Sequence, residues 1–243
     1  MSEYSVLIAA AGSGNRSGLP YPKTLYPIKG KPILIHLLNL FSLITDSISV
    51  VVSPDGKPMI QQCLNKYKHL PNLLIQNVPR GMGDAVLEFK TSSEFKNTEN
   101  LILAWGDIPF IQKSTLTNLI KIHEESKNDF TFPTRLVDSA YTIVSRNKNN
   151  NLVEVIETRE LGIDQPRPGE RDMGLFVFKK DIVFKELQRD SKSKFGNISG
   201  EHGFLYIIKE LISQGYKVDA VPIATEKDLI SLNYLKDVKD YES

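Results

Sequence analysis

Two glycine-rich stretches and one strand-ending aspartate are the residues of this chain best suited to chemistry. The first stretch reads A-A-G-S-G-N-R-S-G-L-P-Y-P-K-T-L over residues 10–25. From Ala10 onward it offers Gly12, Gly14 and Gly18, which let backbone approach a ligand without a Cβ. Successive N–H groups there can form an anion-binding nest. Arg16 and Lys23 add cationic groups suited to phosphate oxygens. The dinucleotide fingerprint G-x-G-x-x-G fails, because these glycines are spaced wrongly, and there is no G-x-x-x-x-G-K-[ST]. Pro20 and Pro22 forbid a helix directly after the glycines, so the loop must run extended before it presents Lys23. The bland alternative is a tight surface turn with incidental charge. The second stretch is P-R-G-M-G-D-A-V over residues 79–86. Gly81 and Gly83 would admit a flat ring close to the chain, or simply open a helix that Asp84 suits. Asp107 follows an apolar run and can hold Mg2+, a hard cation that prefers oxygen, or cap its own loop. No Ser-His-Asp or Cys-His set suggests a protein nucleophile.

The elements that must position these groups follow from periodicity. Val6 to Ala10, Ile48 to Ser53, Leu73 to Gln76 and Leu101 to Trp105 are short continuous apolar runs, which predict buried parallel strands. Between them, Ile33, Leu37, Leu40, Phe41 and Ile44 recur at helical spacing after Pro32, read as the first helical residue. Met59, Ile60, Cys63, Leu64 and Tyr67 mark a second helix, Gly81 and Gly83 break the chain before a short one through Phe89, and Leu116, Leu119, Ile120 and His123 line another. This βαβα order predicts an α/β fold, Rossmann-like, with a mixed, mainly parallel sheet and helices on both faces. Right-handed crossovers would bring the loops at residues 12–18, 78–83 and 106–110 to one crevice.

Farther on, Phe130 to Thr134, Ala140 to Arg146, Leu152 to Glu157 and Gly174 to Lys179 read as strands, with a hairpin turn at Asn147 to Asn151. We expect a small mixed-sheet insertion walling the crevice, with Glu160 to Asp172 a loop. Phe204, Ile207, Ile208, Leu211 and Ile212 form a helical face, Tyr216 to Pro222 a last strand, and Thr225 with Asp228 a variant capping box for a terminal helix. The expectation is one domain over 1–243, in two halves, 1–125 and 126–243.

Composition bounds the partners. The chain has 243 residues, 30 Lys plus Arg and 29 Asp plus Glu, a net charge of +1, which gives nucleic acid no cationic excess to bind. No apolar run approaches a membrane span, and no basic segment precedes the first one. Its one cysteine, Cys63, suits core packing in a reducing compartment, hence a cytoplasmic protein.

As a whole, residues 7–34 resemble the signature L-x-x-G-x-G-x-R followed by P-K-x-L of the sugar-phosphate nucleotidyltransferases, and G-K-P-I-L at 30–34 continues the likeness. L-I-L-A-W-G-D-I-P-F at 101–110 resembles the family strand ending in G-D-x-P, and 79–86 its G-x-(G/A)-x-A segment, with Asp84 a departure. The resemblance implies a glycosyltransferase-A-like fold and assigns nucleotide binding to Ala10, Gly12, Gly14, Gly81 and Gly83. It makes Arg16, Lys23 and Asp107 the catalytic set, with Mg2+ on Asp107. L-V-E-V-I-E-T-R at 152–159 resembles the family strand that ends in an acid, which contacts the sugar, and a lysine, which contacts its phosphate. Glu157 is kept and Thr158 replaces the lysine, with Arg159 beside it as the stand-in. Gly174 would back the sugar, in a region that has lost its N-x-G asparagine, and Glu201 would complete the acceptor site. The second metal carboxylate expected near P-I-A-T-E-K-D-L is missing, and Asp219 on the adjoining strand is the candidate replacement.

The implied reaction joins an NTP, UTP or CTP, to a sugar 1-phosphate, giving an NDP-sugar and pyrophosphate. Two other readings stay open: a cytidylyltransferase acting on an alditol, choline or methylerythritol phosphate, and a non-catalytic nucleotide-binding protein. A monomer or a homodimer is compatible with either.

Overall fold

A computed structural model describes residues 4–12, 18–66, 70–162, 167–232, 235 and 238. Eight strands form one mixed sheet around β1 (Tyr4–Ala9). Its alternating side chains supply both faces of the core: Val6 and Ile8 point one way and Leu7 the other, all fully buried. Strand β1 is followed by a two-residue ladder, β2 (Pro27–Ile28) with β3 (Lys31–Pro32), then α1 (Ile33–Phe41). Pro32 is therefore not the first helical residue. It is held extended in β3, and the helix starts at Ile33, whose N–H donates to the Tyr26 carbonyl at 3.0 Å.

Next come β4 (Ile48–Val52), α2 (Gly56–Leu64), β5 (Asn72–Ile75), α3 (Met82–Leu87), β6 (Asn100–Trp105) and α4 (Lys113–Glu125). Strands β4 and β6 flank β1 in parallel, and β5 adds to β4. The carboxyl ends of β1 and β6 thus lie side by side, with the Gly106 N–H donating to the Ala9 carbonyl at 2.9 Å. Helices α1, α2 and α4 cover one face. The other carries Phe89, Phe130, Phe132, Phe176, Phe178 and Phe204.

In the second half, β7 (Phe130–Ala140) is followed by β8 (Thr142–Arg146), β9 (Leu152–Glu157), β10 (Arg167–Asp172), β11 (Leu175–Lys179), α5 (Lys180–Gln188), α6 (Ile207–Ser213) and β12 (Val218–Val221). The main sheet runs β10-β7-β11-β6-β1-β4-β5, with β12 parallel to β7. Strand β11 is antiparallel to both β6 and β7, so β7 and β11 extend the main sheet, and among the strands of this half β8–β9 stands apart as a hairpin. Two expectations change. Arg167–Asp172 is a strand, because its backbone pairs with the long second half of β7 despite a polar, proline-containing sequence. After Thr225 there is a short 3-10 turn, Lys227–Leu229, at the expected helix start. There Asp228, fully buried, accepts from the Thr225 N–H and hydroxyl, and also from the Gln112 N–H and the Thr115 hydroxyl at the head of α4. No helix among the described residues is long and apolar enough to cross a membrane.

Candidate functional site

A crevice of about 570 Å3 opens over the carboxyl ends of β1 and β6. The first glycine loop contributes Ala10, Gly12 and Lys23, whereas Gly14 and Arg16 lie outside the described residues. Pro22 is extended, and Lys23 opens a 3-10 turn that aims its side chain back at the strand ends. Its Nζ stands 3.7 Å from Oδ2 of Asp107, which follows β6. Both side chains are mostly buried, 13% and 24% exposed, so their charges are weakly screened and act strongly on anything bound between them. The Asp107 carbonyl accepts from the Leu232 N–H at 2.9 Å, which docks the C-terminal segment here and brings Ser231 to the crevice wall.

The second glycine loop is shaped by a residue that sequence reasoning passed over. A Cβ at Gly81, whose φ is +118°, would lie 2.5 Å from the His202 carbonyl oxygen, and one at Gly83 would lie 2.7–2.8 Å from the His202 ring. The His202 backbone is tied on both sides of the loop: its N–H donates to the Arg80 carbonyl at 2.7 Å, and its carbonyl accepts from the Gly83 N–H at 2.8 Å. Its Nδ1–H donates to Asp84 Oδ1 at 2.9 Å. Both glycines are thus required by packing within the protein, and the unusual Asp84 has a structural partner. Gly81 lines the crevice; Gly83 sits behind it, against the ring. Gln76 joins the wall and donates to the Gly81 carbonyl at 3.1 Å.

Glu157, Arg159 and Glu201 line the far wall together. Arg159 is 2.6 Å from Glu157, 2.9 Å from Glu201 and 3.6 Å from Glu160. Burial lifts the Glu157 carboxyl above the usual carboxylate range, against the pull of Arg159. Burial also works against the Arg159 charge, but the surrounding carboxylates more than offset it and keep the guanidinium protonated. Thr158, at the lysine position, turns inward and bonds the Tyr141 carbonyl through its N–H and hydroxyl.

Besides Gly83, two expected site residues are not in the wall. Gly174 packs behind it: its φ is +76°, and a Cβ there would lie 2.6 Å from the Trp105 ring, so the glycine seats the tryptophan that does line the crevice. Asp219 sits on β12 opposite Thr131 and is not among the residues lining the crevice with Asp107. Its charge acts on Arg146, which is held protonated chiefly by its bonds to Glu170. The structure adds Arg171, Asp172 and Thr142 to the wall, with the Thr142 hydroxyl and the Gly174 N–H donating to Asp172. Asp172 stands two residues before Gly174, where the N-x-G pattern expects an asparagine, a signal that could have found it.

A parallel-centred sheet with a glycine loop, a buried lysine–aspartate pair and an acid-rich wall at one edge defines a nucleotidyltransferase-like α/β protein. Residues 6–160 match the model of the MobA-like NTP transferase domain, and the chain belongs to that family. It is similar to the bifunctional protein GlmU of Caldanaerobacter subterraneus subsp. tengcongensis, 27% identical over 242 residues, covering 96% of this chain and 50% of that one. The GlmU of Fervidobacterium nodosum is 26% identical over 236 residues, covering 96% and 48%. The chain thus spans about half the length of these curated relatives. A solved structure, a putative glucose-1-phosphate thymidylyltransferase from Bacillus anthracis, shares the fold with a TM-score of 0.76 at 14% identity, over 98% of this chain and 94% of that one.

Proposed function

We propose that this protein transfers a nucleoside monophosphate from an NTP, UTP or CTP, to a sugar 1-phosphate, releasing pyrophosphate. The observation that carries the reading is the Lys23–Asp107 pair, 3.7 Å apart in one crevice with both charges shielded from water. In the reaction an acceptor phosphate oxygen forms a bond to the α-phosphorus while the α–β bridge oxygen leaves with pyrophosphate. The substrate supplies its own nucleophile, so the protein's task is placement and charge neutralisation. Lys23 holds the α-phosphate or the incoming phosphate, and Arg16 the β and γ phosphates. Ala10, Gly12, Gly14 and Gly81 bound the nucleotide, Gly83 packing behind Gly81 against His202, while Glu157 and Glu201 accept hydrogen bonds from acceptor hydroxyls, with Arg159 orienting both.

Asp107 fits Mg2+, since that ion is commonly bound by one or two carboxylates with phosphate oxygens and water completing the shell. Among the described residues no group of three or more His, Cys, Asp or Glu gathers to hold a metal, so phosphate and water would have to complete the shell. When bound, Mg2+ would add Lewis-acid neutralisation of phosphate charge. Residues 1–125 serve the nucleotide and 126–243 the acceptor, as one cytoplasmic domain. The inward turn of Thr158 favours keeping a second reading, a cytidylyltransferase acting on an alcohol phosphate such as an alditol, choline or methylerythritol phosphate.

The test is pyrophosphate release over four NTPs and a panel of sugar 1-phosphates and alcohol phosphates. K23A and D107N are expected to lower turnover by about 10²–10³-fold, the range for a lost transition-state charge contact, with melting temperatures near wild type. Near-normal turnover in K23A would refute the assigned role, and nucleotide binding without any product would mark a non-catalytic protein.

A further inference from the structure

Among the described residues, the lysine and arginine side chains that line the crevice are Lys23, Arg159 and Arg171. Two of these are neutralised within the protein. Lys23 faces Asp107, and Arg159 is enclosed by Glu157, Glu160 and Glu201. Arg159, the expected grip for an acceptor phosphate, therefore sits in a cluster that is net negative and would repel one.

Arg171 differs. Its Nε donates to the Asp172 carbonyl at 3.1 Å, which holds the side chain against β10, and no carboxylate among the described residues pairs with its two terminal nitrogens. Across the β7–β10 ladder it is registered with Arg135. Directly opposed residues of an antiparallel pair project to the same face, and like charges there repel. Arg135 is relieved by Glu226 at 3.0 Å, but Arg171 has no such partner among the described residues. An uncompensated, anchored guanidinium at a cavity wall is a site for an anion, whereas Arg135, paired with Glu226, is not among the residues that line the crevice. The terminal nitrogens of Arg171 form the fork that suits phosphate oxygens. Its neighbours Asp172 and Met173, with Thr142, also line the crevice; all belong to the second half of the chain, whereas the glycine loop that would take the nucleotide's phosphates belongs to the first.

We infer that Arg171 grips the phosphate of the acceptor, a role that rests on the nucleotidyltransferase reading above. The acceptor then lies with its phosphate on Arg171 and its hydroxyl-bearing body toward Glu157 and Glu201.

The experiment compares wild type, R171Q, R171K and R135Q in two assays: steady-state kinetics with the acceptor found by the panel, and thermal shift with inorganic phosphate. R171Q should raise the acceptor KM about 10- to 100-fold, as expected for losing a hydrogen-bonded charge, with the NTP KM within about twofold of wild type. R171K should fall between, having charge without the fork, and it carries the test if R171Q does not fold. R135Q should resemble wild type. R171Q, unlike R135Q, should also lose the phosphate-dependent rise in melting temperature. That loss supports the site even if no acceptor turns over, an outcome that counts against the nucleotidyltransferase reading alone. An unchanged acceptor KM, a raised NTP KM in its place, or an equal phosphate shift in wild type and R171Q overturns the assignment.

Discussion

Replacing Gly83 by alanine separates two reasons for a glycine in the second loop. Gly83 lies in α3 and needs no unusual backbone angle. Helix propensity alone makes G83A stabilising, by about 0.5–1 kcal/mol. The His202 ring opposes this. The new methyl would sit 2.7 Å from Cδ2 and 2.8 Å from Cγ and Nε2, well inside ordinary contact. The ring cannot retreat cheaply: its side chain is 3% exposed, Asp84 holds Nδ1, and the Phe195 ring packs on it at 5.4 Å. Overpacking of this kind costs about 1–3 kcal/mol, so G83A should be destabilising by about 1–2 kcal/mol. With His202 also shortened to alanine the clash disappears and only the propensity gain is left. The double-mutant cycle should therefore show a coupling of about 1.5–3 kcal/mol, G83A changing sign between the two backgrounds. Urea unfolding followed by Trp105 fluorescence and far-UV circular dichroism, without nucleotide, measures all four proteins. If the glycine served a bound base alone, G83A would stabilise the free protein. That result, or additivity within about 0.5 kcal/mol, would remove His202 as the reason.

Two further outcomes follow from buried polar groups. D228A leaves the Gln112 and Thr225 N–H groups and two threonine hydroxyls without their shared acceptor, and should cost about 3 kcal/mol. A shift in the urea midpoint worth under about 0.5 kcal/mol would mean that the turn relaxes onto water. His123, buried and hydrogen-bonded to the Thr131 hydroxyl, has its pKa lowered to about 4, chiefly by burial and then by Lys179, with Asp129 opposing. The unfolded chain binds its proton near pH 6.5, so between pH 6.5 and 4 the unfolded state holds more protons and stability falls as pH falls. Above that window both states are neutral, and below it both are charged. The loss across it should reach at most about 3 kcal/mol and be absent in H123Q; matching slopes in the two proteins would show that His123 is not the titrating group.

Local patterning made the nucleotide half of the fold readable. Four short apolar runs bounded by glycine or proline, with helical spacing between them, leave few arrangements that bury every run, and β1, β4, β5 and β6 pair in parallel as expected. From that order the shared edge followed, and with it a single crevice for Lys23 and Asp107. What stayed hidden depended on partners distant in the chain. Strand β10 carries Arg167, Glu170, Arg171 and Asp172, and pairs only because β7 runs on past the core. Glycine at 81 and 83 looked like room for a ligand, because a one-dimensional pattern records a missing side chain and not the His202 that fills the space. Likewise Arg159 carries the charge expected of a phosphate grip, and beyond its chain neighbours Glu157 and Glu160 it meets Glu201, 42 residues on, which the local pattern does not place there. Hydrophobic period is a property of neighbours along the chain and survives in the sequence; the neutralisation of a charge and the filling of a gap are set by groups that meet only once the sheet has formed.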